Sequence, residues 1–166
     1  DGNDYIEEAI SKGAVAVVTE RISNKNITQI IVKDVKDVMG KMAYAFFKPK
    51  NERVKVIGIV GTNGKTTTSY ILKSIFDSAK ISAGVIGTLG ILYDGIEIEP
   101  SLTTPDPLEL HRIFADMLKH GITDVVMEVS AHALALKKLE GIKFHVGIFT
   151  NFTRDHLDFF GDMESY

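Results

Sequence analysis

Residues Gly58 to Ser69, with the sequence GIVGTNGKTTTS, combine three glycines, one lysine and a run of hydroxyl side chains. They follow the apolar run from Val54 to Ile57, so a strand, a glycine loop and a helix are expected in that order. Glycines let backbone amides curl around phosphate oxygens, and a helix N-terminus attracts anions. Lys65 is expected to contact terminal phosphates, and the hydroxyl of Thr66 to contact magnesium. The segment therefore predicts a nucleotide phosphate loop.

This loop departs from the usual pattern G-x-x-x-x-G-K-[ST], because Ile59 stands five positions before Gly64. The alternative is a glycine-rich turn between a strand and a helix, carrying a surface lysine. The order of strand, loop, lysine, hydroxyl and helix favours the phosphate loop. The predicted ATP-binding residues are Gly61, Thr62, Asn63, Gly64, Lys65, Thr66 and Thr67.

Two further side chains could do chemistry beside that loop. Glu128 ends the apolar run DVVMEV, and a carboxylate at the carboxyl end of a buried parallel strand costs desolvation energy unless it is paired or metal-bound. The alternative is a strand-end carboxylate that simply meets solvent. His156 stands in the run Arg154 to Asp158, RDHLD, which by itself favours a solvated turn over a site. Thr103 and Thr104, taken alone, would cap a helix that begins near Asp106.

Three separated motifs resemble those of the Mur ligase family: GTNGKTT, MEVSAHAL (Met127 to Leu134) and FTNFTRDHLDFFGDMESY (Phe149 to Tyr166). Within that family the resemblance is to the MurE type, which adds the third amino acid of the peptidoglycan stem. The first residues, DGNDYIEEAISKGAVAVV, are similar to the end of the family's N-terminal, UDP-binding domain. The run from Gly84 to Gly90 and Thr103-Thr104-Pro105 also fit.

The resemblance implies roles for particular residues. The implied catalytic residues are Lys65, Glu128 and His156, the implied magnesium ligands are Thr66, Glu128 and His156, and the implied contacts to the muramoyl dipeptide are Thr103, Thr104, Ser130 and Lys138. Asn151 and Asp155 would shape the loop around His156. Two positions depart from the family: Ala131 replaces a second serine, and Lys138 replaces an arginine. A lysine keeps the charge but loses the planar fork that holds a carboxylate or phosphate by two bonds.

The composition is that of an ordinary globular protein: 166 residues, 45% hydrophobic, 25% charged, with a formal net charge of -3. This balance gives no electrostatic reason to expect nucleic acid as a partner. No apolar run approaches the roughly 20 residues that cross a bilayer, so no membrane insertion is expected. The absence of cysteine excludes disulfides and favours an intracellular location. The resemblance to Mur ligases implies the bacterial cytoplasm.

Hydrophobic periodicity predicts strands alternating with helices. Before residue 48 we expect buried strands at Ala14 to Thr19 and Gln29 to Lys33, then a helix capped by Asp34 and ending near Phe47. After residue 53 the predicted strands are Val54 to Val60, Ser82 to Ile86 and two buried strands, Asp124 to Val129 and Phe144 to Thr150. The predicted helices are Lys65 to Ser78 and Asp106 to His120. Gly90 to Ile98 is expected to be a hairpin with an Asp94-Gly95 turn. His111, His120 and His145 are interpreted as surface or strand histidines.

This alternation predicts an α/β fold with a mostly parallel sheet covered by helices on both faces. We expect residues 1–48 to be the end of a UDP-binding domain, residues 49–53, polar and containing Pro49, to be a linker, and residues 54–166 to be an incomplete ATPase domain. The family's C-terminal domain, which selects the amino acid, and its carbamylated lysine would lie beyond Tyr166. The fragment alone is therefore expected to be inactive.

The resemblance implies ATP-dependent formation of an amide on UDP-MurNAc-L-Ala-D-Glu, through an acyl phosphate, with magnesium. The added amino acid would be meso-diaminopimelate or L-lysine, and the intact enzyme would be a monomer. One alternative is another Mur-like ligase of the folylpolyglutamate or cyanophycin synthetase type. Another is a non-catalytic ATP-binding module. Phosphate release that requires both the dipeptide and the amino acid would distinguish a ligase of the MurE type from a non-catalytic ATP-binding module.

Overall fold

The computed structural model describes residues 2–99 and 102–166. Residues 1, 100 and 101, which the predicted domains also include, lie outside the described residues. The chain opens with a short 3-10 helix, Gly2–Tyr5, and continues through α1 (Ile6–Ser11), β1 (Ala16–Thr19) and β2 (Thr28–Ile31). The strands β1 and β2 pair in parallel as a two-stranded sheet.

The two strands β1 and β2 were expected to be buried, and this prediction is wrong. In β2, Ile30 and Ile31 expose almost half of their surface, and in β1 only Thr19 is buried. The physical reason is that a two-stranded sheet is a single thin layer, so a side chain on a face without a covering element meets solvent. Sequence periodicity detects the strand but not whether a second layer covers it.

The long helix α2 (Val35–Asn51) begins where the sequence predicts and ends later than predicted. The Oδ1 atom of Asp34 accepts hydrogen bonds from the amides of Lys36 at 2.9 Å and Asp37 at 3.2 Å, which confirms the predicted cap. The predicted end at Phe47 is wrong, because the helix continues through Asn51 and takes up the first part of the predicted linker. The residues after Phe47 are polar, so apolar periodicity gives no sign that the helix continues through them. The division into two domains stays a prediction.

The remainder of the chain builds one six-stranded sheet. Its elements are β3 (Lys55–Val60), α3 (Lys65–Ser78), β4 (Ala83–Gly87), β5 (Gly90–Tyr93), β6 (Ile96–Ile98), α4 (Pro107–Lys119), β7 (Asp124–Glu128), α5 (Ala131–Ala135), β8 (Phe144–Phe149) and α6 (Leu157–Phe160). The strand order is β6-β5-β4-β7-β3-β8, with β4, β7, β3 and β8 parallel and the β5–β6 hairpin antiparallel. The predicted α/β fold with a mostly parallel sheet is confirmed.

Turn chemistry and edge position explain two details of this sheet. The Asp94-Gly95 turn is confirmed: both residues have positive φ, 48° and 75°, as a two-residue hairpin turn of this kind requires. The strand β8 was expected to be buried, but it lies at the edge of the sheet, and Val146 and Phe149 are exposed. An edge strand has a neighbour on one side only, so its apolar residues do not guarantee burial.

Helices α2 and α4 pack together, and His111 of α4 lies between them. His111 is only 2% exposed, and its ring is 5.9 Å from that of Tyr44 and 6.4 Å from that of Phe47. The interpretation of His111 as a surface or strand histidine is therefore wrong. Burial lowers the pKa of this imidazole. In the described part of the chain, no helix is both long and apolar enough to cross a membrane.

Candidate functional site

The glycine loop joins β3 to α3 at the carboxyl edge of the sheet. Gly64 precedes the helix with φ 83°, a left-handed conformation that favours glycine, and no side chain caps the helix at this point. At Gly61 an added Cβ would lie 2.1 Å from Oγ1 of Thr150, so only glycine lets the loop pass that close. The first amides of a helix have no intrahelical acceptor, and an uncapped N-terminus offers them to an anion.

Lys65 is the first residue of α3, and its ammonium group is bound within the loop. The Nζ atom donates to the carbonyl oxygens of Gly61 at 2.7 Å and Thr62 at 3.0 Å. These are neutral acceptors on the loop itself, so a phosphate oxygen would offer a stronger, charge-assisted partner at the same place. The lysine is thus held beside the position that an anion at the helix N-terminus would occupy.

Glu128 ends β7 and is completely buried, which excludes the alternative of a carboxylate meeting solvent. Its Oε2 atom accepts hydrogen bonds from the hydroxyls of Thr66 at 2.9 Å and Thr88 at 3.0 Å. Its Oε1 atom accepts from the backbone amide of Thr88 at 3.1 Å. Gly87 lies against the same group, since an added Cβ there would be 2.2 Å from Oε1. The buried charge is therefore compensated by three donors and held beside the start of α3.

Sequence reasoning missed Thr88, although it donates twice to Glu128. Thr88 follows β4, and β4 is the parallel neighbour of β7. Residues that directly follow adjacent parallel strands meet at one edge of the sheet, and this rule could have identified Thr88. The signal was weak because the contact joins residues 40 positions apart in the chain.

Thr104 and Ser130 form a second hydrogen-bonded group at the end of β7. The hydroxyl of Thr104 donates to the carbonyl oxygen of Glu128 at 3.1 Å and accepts from the amide of Ser130 at 3.2 Å. The Oγ atom of Ser130 caps α5 by accepting from the amide of Ala133 at 3.1 Å. The expectation that Thr104 caps the next helix is wrong, because Asp106 occupies the N-cap position of α4.

Thr103 and Lys138 line the same cavity as Thr104 and Ser130. The Oγ1 atom of Thr103 lies 3.3 Å from the hydroxyl oxygen of Thr88, whose proton is donated to Glu128. Lys138, with 15% of its side chain exposed, pairs with Asp106 at 2.8 Å. An anionic ligand at Lys138 would therefore share the ammonium with a carboxylate, which weakens its attraction relative to a lysine without such a partner.

His156 lies in the segment from Thr150 to Tyr166 that follows β8 and is called the arm below. Its φ of 53° is uncommon for a residue other than glycine, and its amide donates to Oδ1 of Asp155 at 2.8 Å. Its ring lies edge-on to that of His132, with centroids 4.9 Å apart, and is half-buried. Backbone strain of this kind persists when the surroundings fix it, and it clusters at functional sites. The side chain is thus placed by its neighbours, unlike one on a freely solvated turn.

The same arm holds the phosphate loop through Asn151. The backbone oxygen of Asn151 accepts from the amide of Thr62 at 3.0 Å, and its side-chain oxygen accepts from the amide of Asn63 at 3.0 Å. Its side-chain nitrogen donates to the carbonyl oxygen of Asn63 at 2.9 Å. The amides of Thr62 and Asn63 therefore already have acceptors inside the chain, whereas those that begin α3 do not have a capping side chain.

One cleft of about 410 Å³ brings together six of the predicted site residues. Its lining contains Lys65 from the phosphate loop, His156 from the arm, and the predicted substrate residues Thr103, Thr104, Ser130 and Lys138; Thr88, His132, Leu102, Ala133 and Leu136 complete it. Glu128 is joined to this wall by its hydrogen bonds from Thr88, and Thr66 is joined to it through Glu128. Of the remaining loop residues, Thr62 is buried, and Asn63, Gly64 and Thr67 are exposed.

The donor set around Glu128 suits a hard cation that is completed by other oxygens. In the described ranges there is no group of three or more histidine, aspartate or glutamate side chains that could hold a metal by itself. Magnesium is commonly held by one or two protein oxygens together with substrate phosphates and water. Thr66 and Glu128 present two such oxygens 2.9 Å apart at the helix N-terminus. The residues present therefore fit magnesium bound together with a nucleotide.

Residues 59–166 match the family model described as Mur ligase middle domain. The chain belongs to the Mur ligase family. Among curated relatives, UDP-N-acetylmuramoyl-L-alanyl-D-glutamate--2,6-diaminopimelate ligase 1 of Clostridium acetobutylicum is 43% identical across the whole chain, which spans 35% of that relative. The resemblance inferred from the three motifs is thereby confirmed.

Solved structures of Mur ligases share the fold. A UDP-N-acetylmuramoyl-L-alanyl-D-glutamate--2,6-diaminopimelate ligase superposes with a TM-score of 0.86 at 30% identity, covering 98% of the chain and 33% of the ligase. MurF ligase from Thermotoga maritima, in complex with ADP, gives a TM-score of 0.64 at 27% identity, covering 99% of the chain and 35% of the ligase. The chain thus spans about a third of the length of the relatives it matches.

Proposed function

We propose that the protein is an ATP-dependent amide ligase of peptidoglycan precursor synthesis, acting on UDP-MurNAc-L-Ala-D-Glu in the bacterial cytoplasm. The observation that carries this proposal is the shared cleft. Lys65, at the N-terminus of α3, lines the same cavity as Thr103, Thr104, Ser130 and Lys138. A phosphoryl donor and a carboxylate acceptor bound to these two groups would therefore meet in one cavity.

The nucleotide would bind at the uncapped N-terminus of α3. Its terminal phosphates suit the free amides of the first helical turn, the helix dipole and the ammonium of Lys65. Lys65 would exchange the carbonyl oxygens of Gly61 and Thr62 for phosphate oxygens, which are charged acceptors. The 27% identical MurF ligase is in complex with ADP, which supports a nucleotide as a ligand in this family.

Magnesium would be held by Thr66 and Glu128, with His156 as a further candidate ligand from the arm. When bound, it would neutralise charge on the transferring phosphoryl group. Thr88 keeps Glu128 oriented through two hydrogen bonds, so the carboxylate needs no rearrangement to present an oxygen at the helix N-terminus. Preorganisation of this kind lowers the reorganisation needed during reaction.

The reaction would join a carboxylate and an amine in two steps. A carboxylate oxygen of the dipeptide attacks the γ-phosphorus of ATP, and ADP leaves with the bridging oxygen. The amine nitrogen then attacks the acyl carbon, inorganic phosphate leaves, and the nitrogen loses a proton to give the amide. Lys65 would stabilise the negative charge on the phosphoryl oxygens. The groups that would orient the dipeptide are the hydroxyls of Thr103, Thr104 and Ser130 and the ammonium of Lys138.

We further propose meso-diaminopimelate, rather than L-lysine, as the amine. The support is that the 43% identical relative from Clostridium acetobutylicum and the 30% identical solved structure are both named 2,6-diaminopimelate ligases. We assign the described lining of the cleft to the dipeptide and the phosphates, so the proposal for the amine rests on these two relatives.

The test is a phosphate-release assay with the intact protein, ATP, magnesium and each substrate omitted in turn, with the tripeptide product measured by mass spectrometry. We expect phosphate release to require both UDP-MurNAc-L-Ala-D-Glu and an amino acid, and meso-diaminopimelate to be preferred over L-lysine. Release that needs neither acceptor would identify a plain ATPase. Activity with a folate and glutamate in place of the dipeptide would identify the folylpolyglutamate type.

A matched pair of variants tests whether the cleft binds the dipeptide. Thr103→Val removes a hydroxyl from the cleft wall and should raise the KM for the dipeptide while leaving the KM for ATP unchanged. Thr123→Val removes a hydroxyl that bonds to Asp124, outside the cleft, and should change neither KM. Equal effects of the two variants on the KM for the dipeptide would contradict the assignment of Thr103 to dipeptide binding.

A further inference from the structure

We propose that Tyr166 is a positioning residue for the nucleotide site, because it fixes the phosphate loop and the His156 arm relative to one another. The proposal rests on the proposed function only in that the site is taken to bind a nucleotide. Tyr166 does not line the cleft, and its phenol contacts two elements that do. Its hydroxyl reaches the loop at Thr62, and its ring packs on the arm.

Thr62 is the loop residue through which Tyr166 acts. It is 6% exposed, and its hydroxyl lies 2.9 Å from the Tyr166 hydroxyl. The same Oγ1 atom accepts from the amide of Thr153 at 3.0 Å and lies 3.2 Å from the carbonyl oxygen of Thr153. A threonine hydroxyl has one proton to donate, so the tyrosine and the Thr153 carbonyl compete for it unless the tyrosine donates. Donation by Tyr166 satisfies all three contacts.

The connection continues from Thr62 to the catalytic lysine. The carbonyl oxygen of Thr62 accepts from Nζ of Lys65 at 3.0 Å. Displacement of Thr62 would therefore move an acceptor that sets the position of the ammonium. In this way a hydroxyl outside the cleft determines where Lys65 is held before a nucleotide binds.

The ring of Tyr166 performs the second part of the role. It lies 5.8 Å from the ring of His156, 5.1 Å from that of Phe152 and 5.4 Å from that of Phe160. Phe152 and Phe160 lie on either side of His156 in the chain, so these contacts hold the arm before and after that residue. His156 itself has a positive φ. Aromatic contacts of this geometry supply a directional term beyond simple burial. The side chain of Tyr166 therefore connects the loop that holds Lys65 with the arm that contains His156.

Removal of the hydroxyl should loosen this connection without unfolding the loop. Asn151 makes three hydrogen bonds to Thr62 and Asn63 that do not involve Tyr166. The ring contacts also survive in Tyr166→Phe. The expected defect is therefore one of position: a weaker nucleotide complex with a nearly unchanged melting temperature.

The first experiment is a double-mutant cycle with Tyr166→Phe and Thr62→Val, measuring the Kd of the full 166-residue chain for the fluorescent nucleotide mant-ADP with magnesium. One hydrogen bond corresponds to a Kd increase of about three- to tenfold for Tyr166→Phe. Because both changes break the same connection, the double variant should bind no more weakly than Thr62→Val alone. Tyr93→Phe is the matched control, since it removes a hydroxyl that bonds to Asp116, away from the cleft.

The second experiment measures amide hydrogen exchange in the chain without nucleotide, so it is independent of the proposed function. Tyr166→Phe should speed exchange at Thr62, Asn63 and Thr153, and Tyr166→Leu should also speed exchange at residues 155–160; Tyr93→Phe should do neither. Absence of mant-ADP binding by the wild-type chain would count against the proposed function, and the exchange result would then decide the present proposal. Unchanged exchange in Tyr166→Phe, or strictly additive effects on Kd, would overturn it.

Discussion

The hydroxyl of Thr66 lies 2.9 Å from Oε2 of Glu128, joining the first turn of α3 to the end of β7. A carboxylate that is fully buried costs several kcal/mol unless donors compensate it, and Glu128 has three. The pair thus places a compensated negative charge beside the N-terminus that the phosphates would use. It is the feature on which the proposed magnesium site depends.

In the intact enzyme, Glu128→Gln should abolish magnesium activation of phosphate release while changing the melting temperature little. The glutamine retains one oxygen for the amide of Thr88, and its NH2 group can face the hydroxyls of Thr66 and Thr88, which are able to accept. Only the charge is lost. Magnesium titrations of activity, beside thermal melts, provide the measurement.

The control for this charge removal is Glu109→Gln on the surface of α4, where the carboxylate lies 3.9 Å from Arg112. It should leave the magnesium dependence in place. If Glu128→Gln kept normal magnesium activation and lowered only the melting temperature, Glu128 would be a structural residue.

Gly87→Ala should disturb the same carboxylate by steric means. The added Cβ would lie 2.2 Å from Oε1 of Glu128 and 2.7 Å from its Cδ, so the side chain would have to move. Overpacking of a buried site costs about 1–3 kcal/mol of stability. Activity should fall in parallel with magnesium affinity, measured by titration.

Gly147→Ala is the matched control, because an added Cβ at that position meets no atom within 4 Å. It should leave both stability and magnesium affinity close to those of the wild type. Similar losses in the two variants would mean that the effect of Gly87→Ala is a general response of the sheet and does not report on Glu128.

Much of the fold was predictable because it follows from local pattern. The Asp94-Gly95 turn, the Asp34 cap and the strand, loop and helix around Lys65 each depend on residues close together in the chain. The carboxyl edge of a parallel sheet then placed Glu128 near Thr66 without knowledge of any contact. These predictions needed only periodicity and turn chemistry.

The features that could not be predicted depend on contacts between distant residues. The donors of Thr88 to Glu128 and the connection from Tyr166 to Thr62 join segments 40 and 104 positions apart. Burial of His111 depends on α2 packing against α4, and exposure of β8 depends on strand order. Periodicity in a single sequence gives neither the strand order nor the helix packing on which these pairings depend, so the sheet-edge rule marks Thr88 only weakly.

Stability should decrease as the pH falls below about 6.5, because of His111. Burial lowers its pKa from the ordinary value of 6.5. The unfolded chain therefore takes up a proton at a higher pH than the folded chain does, which favours unfolding. His111 lines a second cavity, which is separate from the cleft that contains Lys65. The other titratable groups lining this second cavity are Tyr44, Glu52, Lys143 and His145. Urea unfolding at pH 7.5 and pH 5.5 gives the difference.

His111→Phe should make this loss of stability between the two pH values smaller, since phenylalanine keeps an aromatic ring in the contacts with Tyr44 and Phe47 and does not titrate. His145→Gln changes an exposed histidine of β8 and serves as the control. An unchanged pH dependence in His111→Phe would assign the effect to other groups.

Lys138→Met should weaken binding of the dipeptide and leave ATP affinity unchanged. The substitution keeps an unbranched chain but removes the ammonium that lines the cleft and pairs with Asp106. Loss of one charge-assisted hydrogen bond corresponds to roughly a tenfold increase in Kd. Lys137→Met is the control, since that lysine pairs with Asp34. Equal Kd values for the dipeptide in both variants would remove Lys138 from the substrate site.

In the intact enzyme, Lys65→Ala should lower turnover by at least about 100-fold, the size expected when one preorganised electrostatic group is removed from a transferring phosphoryl group. The fold should survive, because Asn151 still holds Thr62 and Asn63 after the lysine's two bonds to the loop are lost. A net loss near 1 kcal/mol would lower the melting temperature by about 2–4 °C. Lys73→Ala, on the same helix and paired with Asp77, controls for removal of a lysine. Retained turnover in Lys65→Ala, with a melting temperature equal to that of Lys73→Ala, would reject the phosphate-loop assignment.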